Sequence, residues 1–261
     1  MAGIDTVIYT PNGAPFFVGN NSFSNFLYKQ LERLGTIFGG RVVCCSPSEL
    51  KAYNAIGIKA LNINNGVDIE ERPLEPLPRL SNTGIKTRYP GLRSGKFRIV
   101  TSGRIEDQKN PTLFNTIAKY FEEFHDFEFL WIGEGADREM LTSKNIVITG
   151  WLSTEDTKDL IAASQVYLST STFEGLPFAV LEALALKKPV LLTDCVGNRD
   201  IVNKRLNGDL FTSEDEAIIK ILQYHNNRDM LQIMGEYSQQ HCEQEFDVYS
   251  TFTSYRSLYK S

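Results

Sequence analysis

The sequence predicts an α/β fold built on a Rossmann-like, doubly wound parallel sheet, and three observations predict it. A strand-like run ending in a Gly turn, then a helix-patterned stretch, then another strand-like run recur along the chain, the βαβ signature of a parallel sheet covered by helices. Six such strands lie between residues 97 and 211, enough for a complete doubly wound domain. The chain has 261 residues, 42% hydrophobic and 23% charged, the balance of a soluble globular protein with room for one full domain and a smaller companion.

The first part is thin. Strand-like VIYT (7–10), helix-like SFSNFLYKQLERLG (22–35), RVVCCS (41–46), a helix started by Ser46-Pro47, and ALNINNG (60–66) give only three strands. They define a partial domain over residues 1–69. A stretch rich in Pro, Arg and Gly over residues 70–96 reads as a linker. The strands of the domain over 97–261 are RIVTSG (98–103), FEFLWIG (127–133), IVITG (146–150), VYLST (166–170), PVLLT (189–193) and GDLF (208–211). Between them PTLFNTIAKYFEEF, STEDTKDLIAAS and LPFAVLEALAL carry apolar residues at helical spacing, the second with Ser153 or Thr154 as N-cap. After Asp229 the chain is helical in character. Phe246, Tyr249, Phe252, Tyr255 and Tyr259, three or four apart, form a stripe expected to pack into the core.

Composition narrows the function classes. No run approaches the roughly 18 apolar residues needed to cross a bilayer, and the opening MAGIDTVIYT has neither a basic leader nor a long apolar stretch. Four cysteines, two of them adjacent at Cys44 and Cys45, fit buried thiols in a reducing cytoplasm better than a disulfide framework. His125, His225 and His241 are scattered and no Cys-x-x-Cys occurs, so a zinc site has no support. Net charge is −5, but residues 1–100 carry 12 Lys and Arg against 7 Asp and Glu. That split reads either as a first part that tolerates anions or as unevenly solvated faces.

The chemistry concentrates where strands end. In STFEGLPFAVLEAL (171–184) a strand runs into a loop carrying Glu174 and Gly175, and Pro177 falls at a favoured first-turn helix position. Free amides and the helix dipole at the carboxyl end of such a sheet make a phosphate site, and Gly175 lets backbone approach closely. Glu182, five residues past Pro177, can reach back towards hydroxyls of a ligand held at the helix start, such as the diol of a ribose. Glu174 lies on the loop beside the same ligand.

A second constellation, SGRIEDQKNP (102–111), again follows a strand and precedes a helix. Arg104 offers a planar fork for bidentate phosphate binding and Lys109 a point charge, and both can converge on one diphosphate. A third turn, IGEGADRE (132–139), places Gly133 either against ligand or only where the chain must turn.

These residues resemble the donor-binding half of the retaining glycosyltransferases of glycosyltransferase family 4, which have the GT-B fold. The matching elements are GRIEDQKNP, IGEGADRE, IVITGWLS, STFEGLPFAVLEALALKKPVLLTD with its Glu-x7-Glu pair, GNRDIV and NGDLF, over residues 97 to about 260. Upstream, SPSELKAYNAIGIKALNINNGVD looks like the end of that family's first domain. The resemblance implies a GT-B fold with a complete C-terminal domain and a partial N-terminal one. It implies transfer of a hexose-type sugar from a nucleotide-diphosphate sugar to an acceptor hydroxyl with retention, in polysaccharide or glycolipid assembly.

By the same carry-over, Glu174, Arg104 and Lys109 are the catalytic residues. Gly103, Gly133, Gly150, Gly175, Leu176, Pro177, Phe178 and Glu182 join them in binding donor, and Thr149, Gly150 and Trp151 border the base. Asn12 and Gly13 fall on the acceptor side. The run TPNGAPFF has Asn12 where the family carries a histidine, so a role requiring a charged imidazole is lost. Asp200 in GNRDIV stands where the family more often has Glu. No Asp-x-Asp triplet occurs, which agrees with an enzyme without metal or other cofactor, its cations and helix dipole replacing Mg²⁺.

The implied partners are a UDP- or GDP-sugar, a sugar or lipid-linked acceptor, and a possible partner chain supplying the acceptor half, but no nucleic acid. The expected place is the cytoplasm, peripheral at the inner face of the membrane. Competing readings are a nucleotide-sugar binding module inactive without a partner, and an epimerase or phosphorylase on the same fold.

Overall fold

Two parallel sheets organise the chain in the computed structural model, which describes residues 7–17, 22–37, 40–69, 92–93 and 95–260. The expected linker over 70–96 falls mostly outside the described residues. The smaller sheet has the order β1 (Ile8–Tyr9), β2 (Arg41–Cys44), β3 (Ala60–Asn62), with α1 (Ser22–Ile37) and α2 (Pro47–Ala55) between its strands. The larger sheet is built from β4 (Phe97–Ser102), β5 (Phe127–Ile132), β6 (Ile146–Ile148), β7 (Val166–Ser169), β8 (Val190–Thr193) and β9 (Gly208–Phe211). Its order is β6-β5-β4-β7-β8-β9, every pair parallel.

The chain therefore winds outwards from β4 to β6, returns to the centre at β7 and continues to β9. The winding direction reverses between β4 and β7. At such a switch point the loops leaving the strand ends splay apart and open a crevice for ligand.

Helices cover both faces, so strand residues are buried on each side and read as continuous apolar runs. Ile99, Phe129, Trp131, Val166, Leu168 and Leu191 pack against α3 (Pro111–Tyr120) and α6 (Glu214–Asn226). Val100, Leu130, Tyr167, Val190 and Leu192 pack on the other face beneath α4 (Thr154–Ala162), α5 (Phe178–Ala185) and α7 (Arg228–Glu245). Arg98 and Glu128 place a buried charged pair in this core, side by side on β4 and β5 with oxygen and nitrogen 2.8 Å apart. The remaining Glu128 oxygen accepts from the Arg93 amide at 2.9 Å.

All six strands of the larger sheet lie within one or two residues of their expected positions. Ser153 is the N-cap of α4, its hydroxyl accepting from the Asp156 amide at 3.1 Å. The terminal stripe is the main correction. Phe246 is buried, but α8 (Val248–Lys260) contains no buried residue, and Tyr249, Phe252 and Tyr259 are exposed. The helix crosses back to the smaller sheet and touches it through Thr251 and one member of the stripe, Tyr255. Thr251 Oγ1 donates to the Asn64 carbonyl at 2.9 Å, and the Tyr255 hydroxyl meets Thr10 Oγ1 at 3.2 Å. Helical spacing shows which residues share a face, and the neighbours decide whether that face is covered.

The helix α1 is also turned outwards. Phe23, Phe26, Leu27, Leu31, Leu34 and Ile37 are exposed, while Glu32 accepts from the Tyr9 hydroxyl on β1 at 3.0 Å.

Candidate functional site

The loops after β4 and β7 meet at the switch point and are stitched together by a backbone bond and by side chains that donate to carbonyls. The Thr172 amide donates to the Gln108 carbonyl at 2.9 Å, Gln108 Nε2 donates to the Phe173 carbonyl at 3.1 Å, and Thr170 Oγ1 donates to the Lys109 carbonyl at 2.7 Å. Asn110, in the left-handed region at φ 50°, then starts α3 by accepting from the Leu113 amide with its side chain. The result is that Lys109 projects into the crevice. Its Nζ stands 2.6 Å from Glu174 Oε1, and the glutamate side chain is only 7% exposed. Two residues chosen separately from the sequence as ligand contacts are thus partners of each other.

Arg104 behaves differently. Its side chain is 63% exposed and its guanidinium lies 3.3 Å from Glu106 Oε1, so it stands at the exposed rim of the crevice. Each of the two cations thus faces a carboxylate of its own, Arg104 that of Glu106 and Lys109 that of Glu174. A flexible exposed arginine can fold onto an anion that reaches the rim, whereas Lys109 is already held.

The glycines around these loops have packing roles. Gly103, at φ +137°, ends β4, and a Cβ on Gly133 would fall 2.0 Å from the Gly103 carbonyl oxygen. A Cβ on Gly135 would fall 2.2 Å from the Ile105 carbonyl oxygen. The IGEG turn therefore nests directly on the loop that carries Arg104. Gly150, at φ +74°, bridges Gly133, and the next side chain, Trp151, is exposed.

Pro177 stands one step earlier than expected. With φ −72° and ψ 115° it is the N-cap, and α5 begins at Phe178. Its carbonyl accepts from the Val180 and Leu181 amides, which leaves the first-turn amides of Phe178 and Ala179 outside the helical bonding pattern. The Leu176 side chain is buried and its carbonyl accepts from Asn65 Nδ2 at 3.0 Å. Glu182 lies in the second turn of α5, half-buried. Burial pushes its carboxyl pKa up, and Lys158 on α4 opposes the shift.

The smaller sheet reaches the same loop. A Cβ on Gly175 would fall 2.6 Å from the Gly13 nitrogen, 2.7 Å from the Asn12 carbonyl carbon and 2.9 Å from Cys45 Sγ. Asn12 (φ 48°) and Gly13 (φ 109°) form the left-handed turn that fits there. Asp200 accepts from the amide and hydroxyl of Ser48, at 3.1 and 2.8 Å, so its short carboxylate caps the first turn of α2 across the two sheets. Glu49 is fully buried and binds the Gly13 and Cys45 amides. Sequence reasoning passed over Glu49, although Ser46-x-x-Glu49 before a helix is the pattern of a capping box.

The assembled crevice offers a cation held on a carboxylate, a mobile cation at its rim, a helix N-terminus and a half-buried acid one turn further on. Phosphate between sugar-like hydroxyls would find a partner for each of its parts. The family model described as glycosyl transferases group 1 matches residues 86–241, which include all of these loops except those of the smaller sheet. The chain belongs to the glycosyl transferases group 1.

Among the proteins that this glycosyl transferases group 1 chain is similar to is an Escherichia coli UDP-Gal:alpha-D-GlcNAc-diphosphoundecaprenol alpha-1,3-galactosyltransferase. It is 26% identical over 276 residues, covering 99% of this chain and 70% of the relative. A Salmonella typhimurium lipopolysaccharide 1,6-galactosyltransferase is 30% identical over 181 residues, covering 65% of this chain and 50% of that one. Anabaena HepE in complex with UDP and glucose shares the fold at a TM-score of 0.81 and 18% identity, over 98% of this chain and 72% of HepE.

Proposed function

We propose that this chain binds a nucleotide-diphosphate sugar at the switch point between β4 and β7 and transfers its hexose to an acceptor hydroxyl with retention, in polysaccharide or glycolipid assembly. The observation that carries the reading is the Lys109 ammonium held 2.6 Å from Glu174 in front of the α5 N-terminus. In this reading the diphosphate takes over Lys109, with Arg104 folding in from the rim and the α5 amides completing the cradle. Negative charge grows on the leaving diphosphate as the bond to the anomeric carbon breaks. Preorganised positive groups stabilise that change more than they stabilise the ground state. Glu174, released from Lys109, contacts the sugar, and Glu182 accepts from the ribose hydroxyls.

The cations and the helix dipole supply the charge that a metal would otherwise bring, so the reaction is proposed to need neither metal nor other cofactor. The names of the E. coli relative and of the HepE complex support a UDP-sugar as donor. The names of the E. coli and Salmonella relatives also support a lipid-linked or lipopolysaccharide acceptor, and the cytoplasmic face of a membrane is the place proposed for the transfer. Among the described residues no helix is long and apolar enough to cross a membrane. A second reading, donor binding with transfer only beside a partner chain, is favoured by the apolar face that α1 turns to solvent.

Titration calorimetry with UDP- and GDP-sugars tests the proposal. One nucleotide class binds, and Lys109→Ala and Glu182→Ala each remove most of the affinity. Full-strength binding by both variants overturns the assignment. Product analysis of transfer to a lipid-linked acceptor, with and without chelator, then tests retention and metal independence.

A further inference from the structure

The two pieces that wall off Gly175, the backbone of the Asn12–Gly13 turn and the Cys45 side chain, are tied together by a single side chain. Glu49 has no exposed surface. Its Oε1 accepts from the Gly13 amide at 2.8 Å and its Oε2 from the Cys45 amide at 2.9 Å. Neither bond belongs to a helix or a sheet ladder, so without the carboxylate the buried Cys45 amide and the part-buried Gly13 amide both lose their partner. Burying a charge is costly, and two amides aimed at one carboxylate are the arrangement that offsets the cost. The same residue is anchored at its own amide, which donates to Ser46 Oγ at 3.2 Å, and its neighbour Ser48 is held by Asp200. Glu49 is therefore fixed from both sheets while it fixes the turn between them.

The position of that turn matters because of what it faces. Gly175 follows Glu174 directly, and the wall lies so close that a single added carbon would meet Gly13 and Asn12 backbone at 2.6 and 2.7 Å. In the donor reading given above Glu174 contacts the sugar, so a wall set against its neighbour Gly175 borders the sugar, whereas Lys109 and Glu182 serve the diphosphate and the ribose.

We propose that Glu49 is a positioning residue that sets the Asn12–Gly13 wall against Gly175, and that this wall is what distinguishes a nucleotide carrying its sugar from the nucleotide alone. The inference rests on the donor reading given above and extends it to a residue outside the donor loops. It predicts a particular pattern: loss of Glu49 leaves nucleotide binding intact and removes the additional affinity contributed by the sugar.

The experiment is titration calorimetry on the full chain with UDP-sugars and with UDP, comparing wild type with Glu49→Gln. The glutamine keeps the shape but turns one acceptor into a donor facing an N–H. The ratio of UDP-sugar to UDP affinity is expected to fall about fivefold, the net worth of one hydrogen bond, with UDP affinity itself changed less than about twofold. An unchanged ratio in folded Glu49→Gln overturns the positioning role. Should that variant fail to fold, Glu49→Asp keeps the charge and shortens the reach so that one amide is released, and the same ratio is read. Amide exchange on the wild type is independent of any variant: UDP-sugar, and not UDP, is expected to slow exchange at Gly13, and equal protection by both ligands overturns the proposal. Wild-type chain that binds no nucleotide at all refutes the donor site and the positioning role with it. Binding with an unchanged ratio refutes the positioning role alone.

Discussion

Replacing Lys109 by alanine and Glu174 by glutamine should move nucleotide affinity in opposite directions. Lys109 meets one carboxylate at 2.6 Å, and its side chain is 24% exposed. A charge-assisted hydrogen bond to a diphosphate in such a place contributes about 1.5–3 kcal/mol, so Lys109→Ala should weaken binding of a nucleoside diphosphate by roughly 10- to 100-fold. Glu174 is the anion that a diphosphate has to displace. A part-buried pair of this kind has a net worth of about 1 kcal/mol, and Glu174→Gln, which no longer holds the ammonium electrostatically, should tighten the same ligand by about fivefold. Transfer by Glu174→Gln should fall nonetheless, because its carboxylate is proposed to act on the sugar. Calorimetry at two salt concentrations reads the affinities, and raising the salt should weaken wild type more than Lys109→Ala. Equal weakening by both substitutions would show that the pair acts as one structural unit and refute the displacement argument.

Three further outcomes are expected. Gly175→Ala, at a site where a Cβ meets Gly13 and Asn12 backbone at 2.6 and 2.7 Å, should force the two sheets' loops apart, lower stability by about 1–3 kcal/mol in denaturant unfolding and depress donor affinity with it. Glu128→Ala strands Arg98 in the core and should cost about 3–5 kcal/mol in the same assay, while joint replacement of Arg98 and Glu128 by apolar residues of similar volume should recover most of the loss. Glu182→Gln should raise the melting temperature at neutral pH: the carboxyl pKa is raised in the folded state, so its ionised form is penalised there. That advantage should be full above the folded pKa and vanish below the ordinary carboxylate value; an advantage independent of pH would contradict the assignment.

Local pattern made much of this molecule readable. The strands of the larger sheet were legible because both of their faces are buried, as in FEFLWI and VYLS, and because glycines or turn residues end them. The loop residues Lys109 and Glu174 were legible as a site because each follows a strand and precedes a helix. Their contact with each other spans 65 residues, a separation that local pattern does not carry. Glu49 was half legible: Ser46-x-x-Glu49 is a local capping pattern and Cys45 is four residues away, but the bond to Gly13, 36 residues distant, is not carried by local pattern. Pro177 and the α8 stripe failed for another reason. A proline tolerates both the cap and the first turn, and an apolar stripe describes a helix without describing what lies opposite.

The first turn of α2 has its hydrogen bonds divided between two bodies: Ser46 and Glu49 belong to the smaller sheet, while the acceptor for Ser48 comes from Asp200 beside the larger one. With the two bodies apart, α2 keeps its Ser46 cap but loses the Asp200 acceptor for Ser48. Each cap contributes about 1 kcal/mol, so separating the two bodies by even a few ångströms should let this turn fray before any strand is disturbed. The winding of nine residues from Pro47 to Ala55 thereby becomes a built-in gauge of how the two halves stand, readable at the Ser48 amide.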